Sequence, residues 1–194
     1  MTDKNTEYAD RLLNECIEEC KSAGVPLCRI LPSVKISRST TKFGSYDTKT
    51  GQVFVSEIIF KLSEYVIKNV MIHELIHSVP GAANHGKTFK RWADIMNSRG
   101  WIIEPHSDLR RLAELSGKRM EDLALPETVF IACRICGDYV LKKENSATLR
   151  FTGRHRCGKC DGGLDVISVD EKGNKRNLSE EWVEQVMKVI MGSR

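Results

Sequence analysis

His73-Glu74-Leu75-Ile76-His77 constrains this chain more than any other stretch, because its spacing becomes a single site only if the chain coils into an α-helix. Residues four apart on a helix stand one above the other on the same face. The imidazoles of His73 and His77 can therefore converge on one metal ion, with Glu74 beside the ion's open position. The flanking Val70, Ile72 and Ile76 add apolar bulk on a stretch that reads as helical. A zinc ion in such a setting lowers the pKa of a water molecule from ~15.7 to about 7, and a neighbouring carboxylate can take the proton and direct the oxygen at a carbonyl. The competing reading is a chance His-Glu-x-x-His on an amphipathic helix, its histidines solvated or hydrogen-bonded in the core.

Two ligands do not complete a catalytic zinc site, which takes three from the protein and keeps the fourth position open. Downstream stand His85, His106, His155, Asp94 and Glu104. His85 is the expected third ligand: it lies eight residues beyond His77, after the helix stop at Pro80-Gly81, and Gly86 beside it permits close backbone approach. Glu104 is the weaker alternative, since the Pro105 that follows it disfavours a helical setting. The metzincin pattern is excluded, because seven residues separate His77 from His85 and the glycine is misplaced. His106 and His155 read as surface or locally hydrogen-bonded residues, and Phe89 and Trp92, at helical spacing, as core.

The cysteines carry the second signal. Cys133-x-x-Cys136 and Cys157-x-x-Cys160 are twenty residues apart, the spacing of a closed four-cysteine zinc ribbon in which Gly137 and Gly158 help to form the knuckles. Such a site has no room for a reactive water and is structural. A redox pair competes for either motif alone but explains two in register poorly. The odd total of seven cysteines and a polar, acidic start without a secretory pattern argue against a disulfide framework and predict a cytoplasmic protein. Cys16, Cys20 and Cys28 read as small apolar residues. No apolar run approaches the ~18 to 20 residues that span a bilayer, so no membrane role is expected. Net charge is +4, and Arg134, Lys142, Lys143, Arg150, Arg154, Arg156 and Lys159 crowd the ribbon with Phe151 and His155 between them. This suits a phosphate backbone with stacking on exposed bases; a solvated face of a small domain is the alternative.

Along the chain, residues 6–23 read as an amphipathic helix ended by Gly24 and Pro26, and residues 34–56 as an antiparallel meander or hairpin turning at residues 47–51. Ser56 and Ser63 are candidate helix caps, and the motif helix is expected to run to about Val79. Another helix covers residues 87–98, and Ser107 is a candidate cap ahead of Leu109. β-prone runs at 129–131, 139–141, 148–151 and 164–169 surround the cysteine pairs, and a last helix covers 179–191. The expectation is an α+β chain: a zincin-like helical core with a small antiparallel β-segment over residues 1–126, a ribbon over 127–170 and a C-terminal helix within 171–194.

This combination, with Val70-Met71-Ile72-His73-Glu74-Leu75-Ile76-His77, His85-Gly86-Lys87-Thr88-Phe89-Lys90 and the knuckle Cys157-Gly158-Lys159-Cys160-Asp161-Gly162-Gly163-Leu164, resembles the SprT-like family, whose eukaryotic members include the DNA-repair protease Spartan. The resemblance covers residues 6–169. It implies a zinc endopeptidase with His73, His77 and His85 as ligands and Glu74 as base, a second zinc on Cys133, Cys136, Cys157 and Cys160, and protein substrates that are DNA-bound or crosslinked to DNA. It also makes DNA a partner and nucleoid association an expectation. Where the family often has Trp-Gly, this chain has Phe43-Gly44. The rival from another class is a catalytically idle DNA-binding adaptor that works through its ribbon.

Overall fold

The computed structural model describes residues 2–118, 123, 128–143, 155–169 and 175–177. The expected strand at 148–151, the C-terminal helix at 179–191 and the basic residues Arg150 and Arg154 lie outside them. The chain divides into two compact units, Met1–Leu123 and Ala124–Arg194. Its secondary structure is mixed α+β.

The first unit is organised around a buried helix. Helix α1 (Thr2–Ser22) places Ala9, Leu12, Leu13, Cys16 and Cys20 on one buried face, the i, i+3, i+4, i+7 stripe of an amphipathic helix. It ends in a glycine-based cap: Gly24 has φ +76°, its N–H donates to the Lys21 carbonyl at 2.9 Å, and Val25 N–H donates to the Cys20 carbonyl at 2.9 Å. Helix α2 (Glu64–Ile76) is buried nearly all round, from Val66 and Ile67 through Met71, Ile72, Leu75 and Ile76, and packs against α1, α3 (Lys87–Ser98) and the sheet. A helix that is apolar on every side belongs in a core. Helix α2 ends earlier than expected. His77 is its C-cap, and Ser78 and Val79 N–H bond the Leu75 and Ile76 carbonyls three residues back, so the last turn tightens before Pro80.

Three strands form the first sheet: β1 (Val34–Ser37), β2 (Gly44–Asp47) and β3 (Gln52–Ser56), in the order β1-β3-β2. The β2–β3 hairpin is antiparallel as expected, but β1 runs parallel to β3 and not antiparallel beside β2. Side chains distant in sequence hold it there: Asp10 accepts from Val34 N–H at 2.6 Å, and the Gln52 amide donates to the Ser33 carbonyl. Both β1 and β2 are therefore edges. Ser56 caps a 3-10 helix (Glu57–Lys61), its hydroxyl accepting from Ile58 N–H. Ser63 stands at the N-cap of α2, but its hydroxyl makes no cap bond. Helix α4 (Leu109–Leu115) is capped by Asp108, which accepts from Arg111 N–H at 2.9 Å, and not by Ser107.

In the second unit, β4 (Thr128–Cys133), β5 (Tyr139–Lys143), β6 (Leu164–Val169) and β7 (Lys175–Asn177) form an antiparallel sheet in the order β5-β4-β6-β7, with Val129, Ile131 and Val166 as its small core. No helix of the described residues is long and apolar enough to cross a membrane.

Candidate active site

The last turn of α2 and the loop before α3 bring three histidines together. His73 Nε2 lies 3.2 Å from His77 Nε2 and 3.1 Å from His85 Nε2. The Nδ1 atoms of His73 and His77 face backbone carbonyls, Glu104 at 3.0 Å and Ala82 at 2.7 Å. A carbonyl oxygen only accepts, so each Nδ1 carries the proton and each Nε2 presents a lone pair to the centre. Protonation does not relieve this convergence: burial, reinforced by the neighbouring His77 and His85, holds His73 down to about 3, and burial also lowers His77 and His85. The two lone pairs of His73 and His77, with His85 Nε2 beside them, form a cluster suited to a cation. The spacing also matches tetrahedral zinc, whose ~2.0 to 2.1 Å bonds to nitrogen separate the nitrogens by about 3.3 Å.

Phe89 closes the site from α3. Its ring centroid is 4.7, 4.8 and 4.7 Å from those of His73, His77 and His85. The side chain is fully buried, so it keeps water from that side of the cluster. The sequence marks Phe89 as core without tying it to the histidines.

Glu74 points the other way, into a cleft of about 640 Å³. Residues 41–44, leading into β2, residues 102–108, and Asn69, Val70, His73, Glu74 and His85 line it. Glu74 is 7% exposed, and among the described residues no donor bonds its carboxylate. Burial pushes its pKa up to about 8. It lies against Gly44, at whose α-carbon a methyl group would fall 2.5 Å from Glu74 Oε1.

Residues 5–99 match the family model of the YgjP-like metallopeptidase domain. This segment is similar to that family. The match takes in His73, Glu74, His77, His85 and Phe89 and agrees with the SprT-like resemblance. No curated protein and no solved structure matches the chain.

The YgjP-like segment ends just before residues 101–108, yet its first histidine leans on them. Asn69 accepts from Ile102 N–H at 2.7 Å, and Asn97 accepts from Ile103 N–H at 2.6 Å while donating to the Ile103 carbonyl at 3.2 Å. Glu104 then offers its carbonyl to His73, and its carboxylate takes both Arg111 nitrogens, Nη2 at 3.0 Å and Nε at 3.2 Å, and the Ser107 hydroxyl at 3.1 Å. Glu104, weighed as a ligand, thus orients a ligand through its backbone, a kind of support that sharpens metal sites. Asp94 on α3, His155 in the second unit and His106 are all exposed; His106 also lines the cleft, its ring at 89° to that of His85 with centroids 4.7 Å apart. Cys16 and Cys20 are buried apolar neighbours on α1, and Cys28 is exposed.

The four cysteines of the second unit form the other candidate metal site. Their sulfurs lie within 4.8 Å of one another, with Cys133 3.4 Å from Cys160 and Cys136 3.6 Å from Cys157. Each knuckle is closed by a pair of backbone bonds, Gly137 to Cys133 and Cys133 to Asp138 in one, Asp161 to Cys157 and Cys157 to Gly162 in the other. Knuckle amides of Cys136 and Ile135 draw the Cys133 thiol down, while its contacts with Cys133 and Cys136 push Cys160 up, as expected of sulfurs that share protons at close range. The second knuckle departs from expectation. Asp161, at φ +57°, takes the left-handed turn there, not Gly158. Gly162 is the residue that must lack a side chain, because a Cβ would fall 2.7 Å from Cys133 Sγ and 3.2 Å from Cys160 Sγ. Four sulfurs converging on space kept clear by a glycine fit one zinc ion. Of the basic residues read from the sequence, Arg134 and Lys159 pair with Asp165 and Asp138, and Arg156 is exposed.

Proposed function

We propose that the protein is a zinc-dependent endopeptidase in which His73, His77 and His85 hold the metal and Glu74 is the general base, while Cys133, Cys136, Cys157 and Cys160 hold a second, structural zinc. The observation that carries this reading is the meeting of three imidazole nitrogens beside a buried carboxylate that no donor among the described residues satisfies, with His73, His85 and that carboxylate lining a cleft. Zinc bound there supplies Lewis acidity toward water and a carbonyl. Glu74 takes the proton of the attacking water and returns it to the departing amine nitrogen. The Glu104 and Ala82 carbonyls hold His73 and His77 in the tautomer that binds a metal.

The edge strand supports a polypeptide substrate. Ser56 N–H bonds the Phe43 carbonyl, and the register pairs Gly44 with Val55, so in antiparallel alternation Gly44 and Tyr46 turn their N–H and C=O groups away from β3. An extended chain added there would run past Glu74. Proteins bound or crosslinked to DNA are the proposed substrates, in a cytoplasmic or nucleoid setting, with the ribbon's basic residues on phosphates. An idle DNA-binding adaptor is the poorer reading, since three histidines that could hold a metal lie together with Glu74 next in sequence to one of them.

The test is cleavage of one polypeptide, free and crosslinked to DNA, by wild type and Glu74→Gln. Wild type cleaves, with preference for the crosslinked form, and the variant keeps its zinc and loses cleavage. Undiminished cleavage by a clean Glu74→Gln preparation would refute the base, and equal cleavage of both substrate forms the role of DNA.

A further inference from the structure

Zinc and Glu74 leave one need of peptide hydrolysis unassigned, and this inference rests on the peptidase reading above. As water adds to the carbonyl carbon, its proton goes to Glu74, and the carbonyl π electrons move onto oxygen. When the C–N bond breaks, the proton passes from Glu74 to the amine. Between these events the former carbonyl oxygen carries a negative charge that a second donor would stabilise.

Most polar side chains lining the cleft are already committed. Asn69 binds Ile102 and Tyr65, Glu104 binds Arg111 and Ser107, and Asp108 caps α4. Thr41, Lys42 and His106 are all exposed where they line the cleft, and of the three His106 alone touches a candidate ligand among the described residues. His106 has no hydrogen-bond partner among the described residues, and its one ring contact is with His85, at 4.7 Å and 89°. It is exposed, but it stands on an anchored segment. The segment bearing it is pinned on both sides, at Ile102 and Ile103 by two asparagines and at Glu104 by His73, Arg111 and Ser107, and Asp108 then anchors it to α4. Such anchoring holds an imidazole beside the ligand cluster without making it a ligand: the group of ligand atoms that converge comprises His73, His77 and His85.

We infer that His106 is a further catalytic residue, whose ring N–H donates to the oxygen of the scissile carbonyl as that oxygen becomes anionic. The imidazole always carries at least one N–H, so it can serve as donor. It lies beyond the matched segment of residues 5–99 and lines the same cleft as Gly44 of β2, so a substrate in the cleft would lie near both.

The decisive variant is His106→Phe, which keeps a ring against His85 and removes the donor. Three quantities are read on wild type and variant: zinc content, kcat and KM on a peptide, and the affinity of a phosphinic peptide whose tetrahedral, anionic phosphorus group mimics the addition product. The expected result is unchanged zinc, kcat lower by ~10² to 10³ with KM little altered, and a comparable loss of phosphinic-peptide affinity. His106→Gln, which restores an N–H donor, recovers part of both. Unchanged kcat and phosphinic affinity in His106→Phe would reduce His106 to ring packing and overturn the inference. Loss of zinc from the variant would overturn it too, by making His106 a support of the metal. If wild type holds zinc yet neither cleaves peptides nor binds the phosphinic peptide, the peptidase reading falls and this inference with it.

Discussion

Gly44→Ala probes the tightest contact in the cleft. A Cβ at this position would lie 2.5 Å from Glu74 Oε1, 2.7 Å from Cγ and 2.9 Å from Cδ. Ordinary contact begins near 3.4 Å, so the carboxyl group must retreat by about 0.9 Å. Gly44 is not among the residues with positive φ, so the backbone accepts alanine without strain. The group that must yield is the end of a flexible side chain beside an open cleft. The stability cost therefore falls at the low end of the ~1 to 3 kcal/mol typical of overpacking, which lowers Tm by roughly 2 to 4 °C in a chain of this size. The catalytic cost is larger, because a misplacement of about 1 Å in a reacting group lowers rates by ~10²-fold. The expected variant is folded, retains its zinc and has kcat reduced about 10²-fold. A quenched fluorogenic peptide, elemental zinc analysis and thermal unfolding measure the three. Near wild-type kcat would show that the Glu74 carboxyl does not need the position it holds, and a loss of kcat that tracks unfolding would show that Gly44 matters to the fold alone.

Zinc stoichiometry and thiol chemistry test the rest. Wild type should bind two zinc ions, His85→Ala should lose one of them and Cys133→Ser the other; a single variant that empties both sites, or neither, would undo the assignment. At pH 8 an alkylating reagent should modify exposed Cys28 in the folded protein and spare Cys16 and Cys20, because burial raises both thiols, Cys20 to about 12, and leaves almost no thiolate. Since these raised values belong to the folded state, the stability they reflect is complete below the ordinary thiol pKa of about 9 and fades as pH climbs from there toward 12. Labelling of Cys16 or Cys20 as fast as Cys28 would contradict the burial.

Much of the site could be read along the chain because its parts are close in sequence. His73 and His77 are one helical turn apart, His85 follows a single helix stop, and each cysteine pair closes a knuckle through bonds within a few residues. The fold was legible for the same reason where one segment decides its own form, as in the buried stripe and glycine cap of α1. The parallel placement of β1 was not, since Asp10 and Gln52 hold it from other parts of the chain. The end of α2 was misjudged by a few residues, because the helix tightens at His77 before Pro80 is reached.

The sequence alone thus singled out the residues that could carry metal chemistry, since helical spacing and Cys-x-x-Cys turns are local geometry that short stretches dictate. Only the tertiary structure decided how that chemistry is housed. The Glu104 carbonyl reaches His73 across 31 positions, Asn69 holds Ile102 across 33, Phe89 spreads beneath all three histidine rings, and Gly44 presses on Glu74 from another element. His106 is exposed, as its sequence suggested, and the same anchored segment brings it to the cleft beside His85. Such contacts have no period or spacing to betray them: they arise from packing α2 against strands and loops that the chain reaches much earlier or later, and they exist only once that core has formed.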